Sequence, residues 1–172
     1  DLRKPGPDLT KISAKLTPEW ASTWIRDPRE VKASTWMPRF WYNSNTDAPE
    51  DIQRNEIEID STVAYLFAKS EGHEFADPSP PSGDVVRGEE LVGSVGCLAC
   101  HINEDQTRLD AGTRRTFGQP LQNIGNKTSY EWLYDWVLDP KHFSDDTYMP
   151  DLRLTDAEAA DIATYLASLT GS

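Results

Sequence analysis

The stretch that decides the reading is Cys97-Leu98-Ala99-Cys100-His101. The chain has 172 residues and two cysteines, and both cysteines are here. Cys-x-x-Cys-His is the spacing of covalent haem attachment. In a helical turn, residues three and four apart lie on one side, so both thiols can face one haem edge while His101 points toward the iron. Each thiol then forms a thioether with a vinyl group, and the imidazole supplies one axial nitrogen. Two other readings of a Cys-x-x-Cys pair fare worse. A structural zinc site needs four ligands, and the only other His or Cys residues are His73 and His142. A redox dithiol belongs in a βαβ pattern, and none is visible around this one. The expectation is haem c on Cys97, Cys100 and His101.

Working outward, a helical run Gly88-Glu89-Glu90-Leu91-Val92 precedes the motif, and Thr147-Tyr148-Met149-Pro150 follows it. Met149 is one of two methionines in the chain. Near the end stands Thr164-Tyr165-Leu166. With these features, residues 85–172 resemble a class I cytochrome c. The resemblance implies an all-α fold of short helices packed around haem, with Met149 as the second axial iron ligand. It also implies a proline carbonyl that orients the ligand histidine. This chain reads Gly118-Gln119-Pro120-Leu121, with the proline one place late, so the carbonyl of Gln119 or of Pro120 accepts from the His101 ring. Pro120, Leu121, Trp132 and Trp136 are the expected lining of the haem pocket. As aromatics on a short helix, the two tryptophans read equally well as core. His142 is an alternative to Met149 as ligand, but it and His73 are expected at the surface.

Periodicity supports this layout without the resemblance. Ser129 is a good N-cap for a helix over about 130–138 that stops near Pro140, with Trp132, Leu133, Trp136 and Val137 on one face. Thr155 and Glu158 have capping-box spacing, opening a last helix to about 169 with Ile162, Tyr165, Leu166 and Leu169 as its stripe. Gly171 stands where a C-cap is expected. Strand-like alternation is nearly absent.

An internal repeat governs the first half. Moved by 112 positions, residues 6–38 fall on 118–150 without a gap and with twelve identities. Trp20 and Trp24 land on Trp132 and Trp136, Asp27-Pro28 on Asp139-Pro140, and Met37-Pro38 on Met149-Pro150. About a dozen extra residues, roughly 41–52, then precede Ala64-Tyr65-Leu66, which match Thr164-Tyr165-Leu166. The same shift carries the counterpart of the attachment motif to before Asp1. The expected organisation is therefore two tandem cytochrome c-like domains. Residues 1–76 form a copy without its attachment segment, 77–84 a Pro-rich linker, and 85–172 a full copy. Met37 is expected as axial ligand of a second haem whose thioethers come from an upstream polypeptide, with Trp20, Trp24 and Tyr65 around it. The bland alternative makes Met37 a core residue of a copy that has lost its haem.

Charge narrows the partners. Seventeen basic residues against twenty-nine acidic ones give −12. With no basic stripe the chain is a poor ligand for nucleic acid, and no apolar run is long enough to span a membrane. The acidic surface suits redox protein partners with a basic docking face. The function expected is electron transfer by an electron carrier, not an enzyme, in the periplasm or another extracytoplasmic space. The competing readings are a haem-bearing subunit of a larger oxidoreductase complex and a dihaem peroxidase with one open iron.

Overall fold

The computed structural model describes residues 6–32, 35–103 and 118–171. Among these, every regular element is a helix, so the all-α expectation holds. The chain divides into two compact units, residues 1–72 and residues 73–172. The Pro-rich stretch falls inside the second unit. There Pro81 O accepts from Tyr130 Oη at 2.5 Å, and the Gly83 N–H donates to Thr164 Oγ1 at 2.9 Å.

The first unit contains α1 (Ile12–Lys15), α2 (Pro18–Arg26), α3 (Pro28–Val31) and α4 (Pro49–Ala68). The second contains α5 (Val85–Ser94), a 3-10 turn at Cys97–Ala99, another at Ile124–Asn126, then α6 (Tyr130–Leu138), α7 (Pro140–Phe143) and α8 (Asp156–Ser168). The repeat read from sequence is also a repeat of structure. Helices α2 and α6 start and stop 112 positions apart, and so do α3 and α7. Their starts are built alike. Thr17 accepts from the Trp20 N–H and Ser129 from the Trp132 N–H, each at 3.2 Å. Asp27 and Asp139 each accept from the backbone two residues on, at 3.0 Å. Such caps satisfy donors that a helix start otherwise leaves unpaired.

In the second unit α8 is the central helix, packed against both α5 and α6. Its capping box, Thr155 with Glu158, is present as the spacing predicts. Leu133, Val137, Ile162 and Leu166 are buried between the helices, each side chain worth about 1.5–3 kcal/mol when fully removed from water. The expected C-cap role of Gly171 is not found. The helix ends at Ser168 and its C-cap is Leu169, whose N–H bonds Leu166 O. Gly171 instead lies where a Cβ would stand 2.1 Å from the Asn123 amide, so the requirement there is for space.

In the first unit α2 packs on α4 through Ala21, Ile25, Ile59 and Val63. The additional residues near 41–52 add Trp41 and Tyr42 to this core. Tyr42 and Glu56 join Arg26 in one polar cluster, and hydrogen bonds from the Arg26 guanidinium and then from Tyr42 hold the Glu56 carboxyl down at about 2.

Candidate functional site

Gly96, in the left-handed region at φ 108°, ends α5 and turns the chain into the Cys97–Ala99 turn. That conformation costs glycine little and a larger residue more. Cys97 O accepts from both the Cys100 and the His101 N–H, at 3.2 and 2.9 Å, so the five residues form one tight turn. Cys97 leans on the core and Cys100 is exposed, and both are free thiols. Burial pushes the Cys97 thiol above its ordinary pKa, so it rests protonated at neutral pH.

The segment 118–121 is laced onto this turn. The Gly118 N–H donates to Cys100 O at 2.9 Å and the Leu121 N–H to Ile102 O at 2.8 Å. His101 Nδ1 then lies 2.6 Å from Gln119 O. Of the two carbonyls left open by the late proline, Gln119 is the one that meets the ring. A carbonyl can only accept, so Nδ1 carries the proton and Nε2 is the nitrogen with a lone pair to give a metal. Gly118 makes room for this. A Cβ there would lie 2.5 Å from His101 Nδ1. Past the motif, the Asn103 amide donates to Tyr165 Oη at 2.8 Å and ties the turn to α8.

The other expected residues take these places. Leu121 and Trp132 are buried in the core and Pro120 is half-buried. Trp132 stacks on Trp136 at 5.1 Å, with Phe143 edge-on to both. Trp20 and Trp24 repeat that stack at 5.4 Å. Met149 is half-buried on the loop between α7 and α8, its N–H on Thr147 Oγ1 at 3.2 Å. Met37 makes the same turn with Thr35, also at 3.2 Å. Its sulfur accepts from the Trp24 indole N–H at 3.0 Å. Tyr65, expected beside Trp20 and Trp24, is 63% exposed. The residue before each methionine, Trp36 or Tyr148, is a highly exposed aromatic, a feature the sequence reading did not single out.

The surface expectation for His73 is overturned. Its side chain is 4% exposed, and Nε2 lies 3.0 Å from Asp135 Oδ2. His142, partly exposed, places Nδ1 2.9 Å from Asp135 Oδ1, which also accepts the Ala76 N–H at 2.9 Å. Asp135 was missed because it sits in the apolar run of α6, and its counterpart on α2, Thr23, is an exposed polar residue. Burial pushes the Asp135 carboxyl up, but the bonds from Ala76, His73 and His142 outweigh it and hold the group below the ordinary carboxylate range. Asp135→Ala leaves three donors without their acceptor, and we expect the second unit to lose about 3 kcal/mol. The pH dependence has a definite sign. A depressed carboxylate adds stability above its unfolded pKa of about 4, and that stability is lost as pH falls through the folded value. Urea midpoints of wild type and Asp135→Asn should therefore converge in acid. A gap that stays constant from neutral pH to pH 3 contradicts this assignment.

The residues present fit haem c. Two unpaired thiols stand three apart on one turn, beside an imidazole whose Nδ1 is fixed and whose ring occupies space that a Cβ at position 118 would fill. No curated protein sequence matches the chain. Residues 85–170 match the family model described as Cytochrome c, which spans half of the 172 residues and accords with haem binding and electron transfer. The chain belongs to the cytochrome c family.

Proposed function

We propose that the protein is a dihaem electron carrier. In the second unit Cys97 and Cys100 hold the haem through thioethers, and His101 and Met149 are its axial ligands. The observation that carries the reading is the bond from His101 Nδ1 to Gln119 O, which fixes the tautomer and direction of the ring. Bound there, haem c supplies an iron that alternates between ferric and ferrous states. With the haem bound, His101 and Met149 would both hold its iron, so there would be little reorganisation and no open position for a substrate. Methionine as second ligand raises the potential relative to two histidines.

For the first unit, Met37 is the proposed ligand of a second haem, attached through a Cys-x-x-Cys-His motif on polypeptide outside these residues. Support comes from the Thr35–Met37 turn, which repeats the Thr147–Met149 turn. A thioether sulfur has two lone pairs, so the Trp24 bond leaves Met37 one to give. The proposed covalent attachment makes the periplasm or a similar extracytoplasmic space the expected location. None of the described helices is long and apolar enough to cross a membrane. The test is the pyridine haemochrome count per chain on native material, with the near-infrared spectrum of the oxidised form. Two haems and the weak methionine–iron charge-transfer band are expected. One haem removes the second site, and a high-spin ferric band replaces the carrier by a peroxidase-like enzyme.

A further inference from the structure

Helices α4 and α8 occupy the same place in the repeat, but they are covered differently. Ile59 and Val63 on α4 and Ala159 and Ala163 on α8 face the partner helix α2 or α6 and are buried in both units. On α8 a second face is buried as well, because α5 lies along it. Ala160 is 2%, Asp161 7% and Tyr165 7% exposed. The approach is backbone to backbone. A Cβ on Gly83 would stand 2.4 Å from the Ala160 carbonyl, and one on Gly88 2.1 Å from that of Asp161. Polar contacts fix the register. Asp161 accepts the Asp84 N–H at 2.7 Å and pairs with Arg87 at 3.3 Å.

On α4 the corresponding face is open. Asp60, Ser61, Ala64, Tyr65 and Ala68 are all exposed, and Tyr65 is exposed at 63% against 7% for Tyr165. Ile57, one turn before Ser61, continues the stripe and is 58% exposed. Beside it runs a groove of about 600 Å³ between α2 and α4, with Pro18, Ser22, Ala64 and Phe67 in its lining and Glu19 and Asp60 as its acidic members. In the second unit the positions of Pro18 and Ser22 are held by Tyr130 and Tyr134, and Tyr130 bonds Pro81 of the segment leading into α5. The first unit thus has the seat with smaller walls.

We propose that this face of α4 is the seat of an amphipathic helix of the α5 kind, carried by the polypeptide that bears the first unit's attachment motif. The inference rests on the two-haem reading and gives its missing segment a place. Its occupant has a glycine at the closest approach, because α8 receives α5 at backbone distance. It has a basic residue toward Asp60 and Glu19, since the position of Asp161, which pairs with Arg87, is held on α4 by the uncharged Ser61 and the acidic groups lie beside it. It also has a bulky side chain for the space that Tyr130 and Tyr134 fill in the second unit. Two residues separate the end of α5 from Cys97, so a helix seated this way delivers its motif to its own unit as α5 does.

The test is hydroxyl-radical footprinting of Tyr65 in protein purified from its natural host, beside the 172-residue chain produced alone. Labelling of Tyr65 in the native material is expected to be lower by the ratio of the two exposures, 63% to 7%. It should match that of Tyr165 in the same digest. Equal labelling in both samples overturns the proposal. Protection that disappears on dilution also overturns it, since the cover is then a second copy of this chain. The haem count separates this inference from the reading beneath it. Protection of Tyr65 with a single haem keeps the seat and removes the second haem. Two haems with Tyr65 fully labelled keep the second haem and remove the seat. Ala64→Trp, which fills the seat from the α4 side, should lower haem occupancy of the first unit without changing that of the second.

Discussion

Replacing His101 by alanine is expected to block maturation of the second unit, whereas Met149→Ala is expected to leave its haem attached. The difference follows from what each side chain does. His101 stands in the same tight turn as both thiols, with its Nδ1 on Gln119 O, so removing it takes away one ligand and the packing that supports the turn. Met149 lies on a separate loop anchored through Thr147 and contributes nothing to the thioethers. Its loss opens one axial position to water or carbon monoxide and lowers the potential. The measurement is the reduced spectrum before and after carbon monoxide, with haem staining of denatured protein. A Met149→Ala protein that stays low-spin and binds no carbon monoxide would remove Met149 as ligand and turn attention to His142. Cys97→Ala, which loses one thioether of two, should fall between these cases, with less haem retained. Met37→Ala puts the same question to the first unit. If Met37 is an axial ligand, carbon monoxide binding should appear there while the second unit's spectrum stays unchanged.

Much of this was legible in the sequence because it is carried by local spacing. The haem turn is five consecutive residues, and Ser129 and the Thr155–Glu158 pair announce their helices through caps that act within one turn. The repeat was legible for the same reason, since a gapless shift preserves every local relation along α2 and α3. What escaped the sequence depends on contacts between distant residues. Asp135 reads as an ordinary polar interruption of α6, and only the fold brings His73, sixty-two positions earlier, and His142 to its two oxygens. His73 read as a surface residue for the same reason. Gly171 looked like a cap because it follows a helix, whereas its constraint comes from Asn123. The choice between Gln119 and Pro120 needed the geometry of the loop, since a register shift of one residue has no signature in composition.

Two glycines on one helix give the remaining test, because the same substitution should have opposite signs at the two places. Gly88 and Gly93 both lie in α5, where glycine costs about 0.5–1 kcal/mol relative to alanine through backbone entropy. At Gly93 a Cβ meets nothing within 4 Å, so Gly93→Ala should recover that amount and raise the stability of the second unit. At Gly88 a Cβ would lie 2.1 Å from Asp161 O and 2.8 Å from Tyr165 Cβ. The carbonyl oxygen belongs to a helix backbone and cannot turn aside, so α5 must lift away from α8. Overpacking of this kind costs about 1–3 kcal/mol, more than the propensity gain, and Gly88→Ala should be destabilising overall. Chemical denaturation followed by a second-unit signal measures both variants on one scale. The displacement also reaches the site, since α5 ends just before Gly96 and the Cys97 turn. Gly88→Ala should therefore lower haem incorporation where Gly93→Ala does not. If both alanines stabilise, α5 does not approach α8 at backbone distance, and the seat inferred on α4 loses its template.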